Sequence, residues 1–169
     1  MKLRPALVSD AEAIGHVRVS AWQAAYEKFM PQSFLAALDP LEHLDSRRKN
    51  LAKQTDGFVV CVAEVGGSVA AFSIIGTPRY PTNTKVIELW ALNVHPSLWR
   101  QGIGRALTLR AVDTASSLGF QSVELWCIHG NFPARAAYES CGFSLTGQER
   151  SSSTLTGYPL HEVLYAKAL

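Results

Sequence analysis

The sequence predicts a single α/β domain, a mixed and mostly antiparallel β-sheet of about six to seven strands with helices on both faces. Three observations predict it. Runs of β-branched and aromatic residues alternate with stretches of helical periodicity along the whole chain. The dipeptide Gly66-Gly67 joins two such runs and suits the positive φ angles of a tight hairpin. A strand, helix, strand passage over 86–128 requires a right-handed crossover, which leaves its two strands parallel.

The elements follow in order. Met1 to Leu7 reads as a short strand, and Ser9-Asp10-Ala11-Glu12 has capping-box spacing for the helix that follows. Ala13, Val17, Ala21 and Ala24 carry that helix to about Tyr26. Pro31 and Pro40 divide the next region into helices over 31–38 and 40–54. Strands are expected over 58–65, 68–75 and 86–94, the last with Glu88 embedded in an apolar run. A glycine-containing loop opens a helix whose Ile103, Leu107, Ala111, Ala115 and Leu118 share one face, stopped by Gly119. A strand over 122–128, a helix over 132–141 stopped by Gly142, and strands over 143–149 and 162–168 close the chain.

Composition narrows the function classes. The chain has 169 residues, 47% hydrophobic and 18% charged, which suits one folded core and not a disordered tail. A net charge of +2 with no long basic run does not suggest nucleic-acid binding, and Arg47-Arg48-Lys49 reads as a solvated helix face. No stretch approaches the ~20 apolar residues of a membrane helix, and the N-terminus lacks a signal-peptide hydrophobic region. Cys61, Cys127 and Cys141 have neither disulfide-framework nor metal-ligand spacing. The expectation is a cytoplasmic protein without a metal.

The most informative segment runs from Val94 through His95-Pro96-Ser97-Leu98-Trp99-Arg100-Gln101-Gly102-Ile103-Gly104-Arg105. It leaves a strand, turns at a proline and enters a helix through two glycines. Unpaired N–H groups and the positive end of the helix dipole meet there, a site for phosphate oxygens to which Arg100 and Arg105 add charge. The alternative is a tight strand-to-helix turn and nothing more. The segment is not a Walker A loop, and Leu107 stands where a dinucleotide fingerprint needs a third glycine.

This segment resembles motif A of the GNAT acetyltransferases, the Gcn5-related N-acetyltransferase superfamily of small bacterial-type enzymes, in which [RQ]-x-x-G-x-[GA] wraps the coenzyme A pyrophosphate. Upstream, Glu88-Leu89-Trp90-Ala91-Leu92-Asn93-Val94-His95-Pro96 is similar to the family's fourth strand. Downstream, Asn131 to Phe143 looks like motif B, N-x-x-A-x-x-x-Y-x-x-x-G-F, and Leu3 to Ala6 and Gly157 to Val163 fit the first and last strands. One departure is Trp99, which stands where the family often has Arg or Gln, so coenzyme binding is expected to rest mainly on N–H groups from Gln101 to Arg105.

The resemblance implies direct acetyl transfer from acetyl-CoA, as cosubstrate, to a primary amine in a ternary complex. It implies a splayed central pair of strands, with pantetheine lying along the backbone of Leu92, Asn93 and Val94, where an N–H polarises the thioester carbonyl. Coenzyme contacts are expected from Trp99, Arg100, Gln101, Gly102, Ile103, Gly104, Arg105, Asn131 and Ala134, with Asn131 a helix cap or a pantetheine ligand. Tyr138 is the expected general acid, since a phenol of pKa near ~10 can protonate a thiolate whose conjugate acid lies near ~8.5. Glu88 has two readings, an acid–base or substrate-binding group and a salt bridge at the sheet's end; unbroken alternation along its strand puts it on one face with Trp90, Leu92 and Val94. His129 is either an accessory base or a loop residue. Trp22, Tyr26, Phe29 and Pro31 occupy the region that shapes the acceptor pocket in similar proteins, with core packing as the alternative, and Tyr80 and Pro81 border it. A small-molecule amine is the first expectation for the acceptor, a peptide or protein amine the second, and a non-catalytic coenzyme A-binding module the competing class. Homodimers are common among similar proteins, and no segment here specifies one.

Overall fold

The computed structural model describes residues 1–80, 83–153 and 156–169, so Pro81 lies outside the described residues. The strands are β1 (Lys2–Pro5), β2 (Phe58–Val65), β3 (Ser68–Gly76), β4 (Val86–Val94), β5 (Ser122–Ile128), β6 (Ser144–Ser152) and β7 (Leu160–Ala168). They form one sheet in the order β1-β2-β3-β4-β5-β7-β6, in which β4–β5 is parallel and every other neighbouring pair antiparallel. The helices are α1 (Ala11–Ala25), α2 (Gln32–Ala36), α3 (Leu44–Leu51), α4 (Ile103–Ser117) and α5 (Phe132–Ser140).

The local signals act as expected at several points. Gly66 and Gly67, at φ 60° and 82°, make the β2–β3 turn. Ile103, Leu107, Ala111 and Ala115 are the buried face of α4, and the chain turns left-handed at Gly119 to leave it. Two layers of helix cover the sheet. Ala11, Ile14 and Val17 of α1, with Leu51 of α3, pack on Val60, Val62 and Phe72. On the other face, Ala111, Val112 and Ala115 of α4 pack on Ile87, Leu89, Val123 and Leu125, with Tyr138 of α5 against the same cluster.

Three expectations are corrected. Ser9 and Glu12 do not cap α1: a short 3-10 turn at Val8–Asp10 precedes it, because the Asp10 carboxylate accepts the Leu7 N–H at 2.7 Å and grips Arg4 at 2.6 and 3.0 Å. The helix expected over 40–54 is shorter. The Arg47 guanidinium bonds the carbonyls of Pro40 and Glu42, which holds 40–43 as a turn, with His43 left-handed at φ 60°. Strand β6 continues to Ser152 against Leu160, and its polar residues lack alternation because an edge strand exposed along most of its length needs no apolar face.

Candidate active site

The site begins where β4 and β5 part. Their pairing covers Val86–Ser122, Ile87–Val123 and Glu88–Glu124 and then stops, although both strands continue. A bulge contributes to the divergence: Ile75 pairs Leu89 and Ile74 pairs Ala91, so Trp90 is the extra residue. The bulge also exchanges the faces of β4. Before it, Ile87 and Leu89 meet the α4 side; after it, Leu92 and Val94 do so, against Ile103 and Leu107. Glu88 therefore lies on the face opposite Leu92 and Val94, which corrects the unbroken alternation expected from the sequence.

The unpaired edge of β4 offers backbone groups to the gap. The His95 N–H donates to Ala70 C=O at 2.9 Å, so alternate residues, Asn93 among them, turn their N–H and C=O toward β3. Leu92 and Val94 turn theirs toward the gap. Of the three residues expected to present backbone there, Asn93 is thus engaged on β3. The Val94 carbonyl accepts the Trp99 indole N–H at 2.7 Å, so Trp99 ties the start of the glycine loop to the end of the strand.

Beyond Trp99 the chain turns left-handed at Arg100 (φ 63°) and again at Gly102 (φ 79°), the N-cap of α4. Glycine suits the second position because a side chain there is strained even in open space. Among the described residues, no backbone N–H from Arg100 to Arg105 has a partner within the protein; the first bond of the helix is Ala106 N–H to Gly102 C=O at 2.9 Å. A curved run of unpaired donors at a positive helix end fits a pyrophosphate.

Motif B lies on the same face of the sheet as α4. Asn131 caps α5, its side-chain oxygen accepting the Ala134 N–H at 3.3 Å. Tyr138 packs edge-on to Phe143 at 6.1 Å, and its hydroxyl has no hydrogen-bond partner among the described residues. Burial pushes the phenol well above its ordinary pKa, with Cys127, Tyr26 and Cys141 adding to the shift. The hydroxyl therefore stays protonated at neutral pH.

The α1 side is built from side chains. Glu88, 1% exposed, accepts the Arg79 N–H at 2.9 Å and its guanidinium at 2.8 Å, which supplies the salt bridge that was one of its two readings. Arg79 also lies over the Trp90 ring at 5.3 Å. Tyr80 donates to Glu124 at 2.7 Å and stands edge-on to Trp126. Trp22 and Tyr26 form an edge-on pair at 5.3 Å within a cluster of Met30, Leu35, Phe29, Phe34, Ile128 and Leu160. The Tyr26 hydroxyl also lacks a partner among the described residues, and burial raises its pKa to about 12. Pro31 is the N-cap of α2 beside this cluster.

A cavity of about 210 Å³ opens beside the cluster, lined by Phe29, Ile128, His129, Gly130, Pro159, Leu160 and His161. A side chain at position 130 would begin 2.9 Å from the Phe29 ring, so glycine is what lets the β5–α5 turn approach that wall. His129 stacks on His161 at 4.7 Å, and His161 bonds Glu149 at 2.7 Å. Arg79, Glu124, Trp126, Glu149 and His161 were not singled out from the sequence. Their pairings cross from one strand or loop to another, from 9 residues apart for Arg79–Glu88 to 44 for Tyr80–Glu124, and no local spacing announces them. Among the described residues no group of three or more His, Cys, Asp or Glu is placed to hold a metal, and no helix is long and apolar enough to cross a membrane.

Known proteins resemble this chain in sequence and in fold. In sequence, the chain is 29% identical over 129 residues to the uncharacterized N-acetyltransferase YuaI of Bacillus subtilis (strain 168), covering 76% of this chain and 72% of that one. In structure, it resembles a PaiA N-acetyltransferase from Thermoplasma acidophilum in complex with coenzyme A (TM-score 0.79, 14% identity, 99% and 98% of the two chains). It also resembles the ribosomal-protein-alanine N-acetyltransferase of Brucella melitensis (TM-score 0.76, 24% identity, 100% of both chains). At those identities the two structures establish the fold alone. The model of the Acetyltransferase (GNAT) family matches residues 10–143, from the start of α1 through the end of motif B, and the chain belongs to that family of acyltransferase enzymes.

Proposed function

We propose that the protein moves an acetyl group from acetyl-CoA to a primary amine of a small molecule, by direct transfer within a ternary complex. The observation that carries the reading is the row of unpaired N–H groups from Arg100 to Arg105 beside the open edge of β4. Pyrophosphate oxygens accept from the loop, the pantetheine arm lies along Leu92 and Val94, and a gap-facing N–H polarises the thioester carbonyl. Trp99 supports the loop through Val94 while Arg100, Gln101, Ile103, Gly104 and Arg105 frame it. Asn131 and Ala134 hold the start of α5 so that Tyr138 faces the sulfur.

The acceptor enters from the α1 side. A groove of about 210 Å³ lined by Phe29, Ile128 and Leu160, beside the Trp22–Tyr26 cluster, offers a partly apolar surface whose volume suits a compact amine better than several residues of a peptide. Three buried free thiols agree with a reducing, cytoplasmic setting.

The test is thiol release from acetyl-CoA with benzylamine, spermidine and an alanine-initiated hexapeptide as acceptors. The expected outcome is turnover with the small amines and much weaker turnover with the peptide. Preference for the peptide would move the acceptor to protein termini. Tight coenzyme A binding without turnover on any acceptor would leave a non-catalytic binding module.

A further inference from the structure

Two carboxylates stand at the vertex where β4 and β5 part, and they are held differently. Glu88 and Glu124 form the last rung of the parallel pair. Val123 and Leu125 face α4, so Glu124 between them lies on the α1 side with Glu88. Glu88 is buried and carries Arg79 on both oxygens. Glu124 is half-buried; its Oε2 accepts the Tyr80 hydroxyl at 2.7 Å, while its Oε1 has no partner and the carboxylate no ion pair among the described residues. Two residues along the same strand face, Trp126 keeps its indole N–H buried with no acceptor. An unused carboxylate oxygen and an unused N–H thus lie on one face of β5, at the vertex of the gap.

We propose that Glu124 is the general base for the acceptor amine and that Tyr80 is its positioning residue. This rests on the acetyltransferase reading. An alkylamine arrives as ammonium and loses one proton to Glu124 Oε1, directly or through one water, and Glu124 passes it to solvent. The freed lone pair forms the C–N bond as the C–S bond breaks. The sulfur leaves with the Tyr138 proton, and the second proton lost by nitrogen restores Tyr138 through solvent. The amide retains the third, so each transfer releases one proton overall. Tyr80 stays a donor because burial and its bond to Glu124 push its phenol pKa well up. The other charged groups about Glu124 are already matched, Arg79 with Glu88 and Arg150 with Glu162, the latter pair at 2.7 Å with Arg150 over the Trp126 ring. Neither arginine neutralises the base.

The test compares Glu124→Gln with wild type in kcat/KM against pH, using whichever of benzylamine, spermidine and the alanine-initiated hexapeptide the wild type acetylates fastest. Near neutral pH, Glu124→Gln is expected to lose about 10²-fold or more, the usual worth of a positioned base. The loss should shrink as pH rises, because the free-amine fraction grows without help, while coenzyme A affinity stays at the wild-type value. A merely structural role would lower activity alike at every pH. Tyr80→Phe should lower kcat several-fold with little change in KM, and it carries the test if Glu124→Gln does not fold. Wild-type values and pH profiles in the folded variants would overturn the role of Glu124. Absence of turnover by the wild type on all three acceptors would instead overturn the acetyltransferase reading itself.

Discussion

The two walls of the β4–β5 gap are made of different material. On the α4 side the binding groups are backbone: the N–H row from Arg100 to Arg105 and the open edge at Leu92 and Val94. On the α1 side they are side chains brought together from different strands and loops, Arg79 with Glu88, Tyr80 with Glu124 and Arg150 with Glu162. Backbone recognition depends on chain path, so it tolerates most side-chain changes. A wall of paired side chains responds to each residue separately, and on the proposed reading it is there that the acceptor is chosen and its proton handled.

Tyr138 packs on the α4 side, and its replacement is the strongest way to separate binding from chemistry. Tyr138→Phe removes a hydroxyl that bonds nothing in the protein, so the fold should be unaffected. The expected result is a fall in kcat of about 10²–10⁴-fold, the range for a lost acid catalyst, with acetyl-CoA affinity unchanged by calorimetry. The raised pKa also implies that the alkaline limb of the wild-type pH profile is not ionisation of Tyr138. Unaltered turnover would remove Tyr138 from the role of acid.

A second variant probes the α1 wall through stability. Arg79→Ala leaves Glu88 buried at 1% exposure with no cation, which should cost about 3 kcal/mol, near the low end for a broken buried pair because Arg79 is itself partly exposed. Urea unfolding measures the loss, and a deficit well below that figure would show that Glu88 had found another partner.

The same contrast explains what was legible in the sequence. The α4 wall is local: a strand, a proline turn and two glycines within one segment, and Asn131 to Tyr138 within one helix, so adjacent residue types announce it. The core face of α4 was readable for the same reason, since helical periodicity needs no knowledge of partners; on α1 only Val17 and Ala21 of the four positions read are buried, and Ala11 and Ile14 complete that face. The bulge at Trp90 was not readable, because it is set by pairing with Ile74 and Ile75, and it moved Glu88 to the other face. Glu88 announced itself as a carboxylate in an apolar run, but its partner Arg79 lies across a turn whose path no periodicity predicts. Glu124 lay inside an ordinary strand pattern, and only the β4–β5 register brings it beside Glu88.

The smallest expected effect lies at Trp99, the departure from the usual motif. Its indole N–H bonds the Val94 carbonyl at 2.7 Å, and the residue is 40% exposed, so its contribution to the coenzyme site runs through the loop and the strand end. Trp99→Phe keeps an aromatic ring and deletes that bond, worth about 1 kcal/mol net. Coenzyme A affinity should then weaken by no more than about tenfold with kcat unchanged, since 1.4 kcal/mol is tenfold in affinity. A loss far beyond that would mean that the indole itself holds the coenzyme, and the α4 wall would no longer be a backbone site alone. A loss within it leaves phosphate recognition with the unpaired N–H groups of Arg100 to Arg105, where side-chain identity matters least.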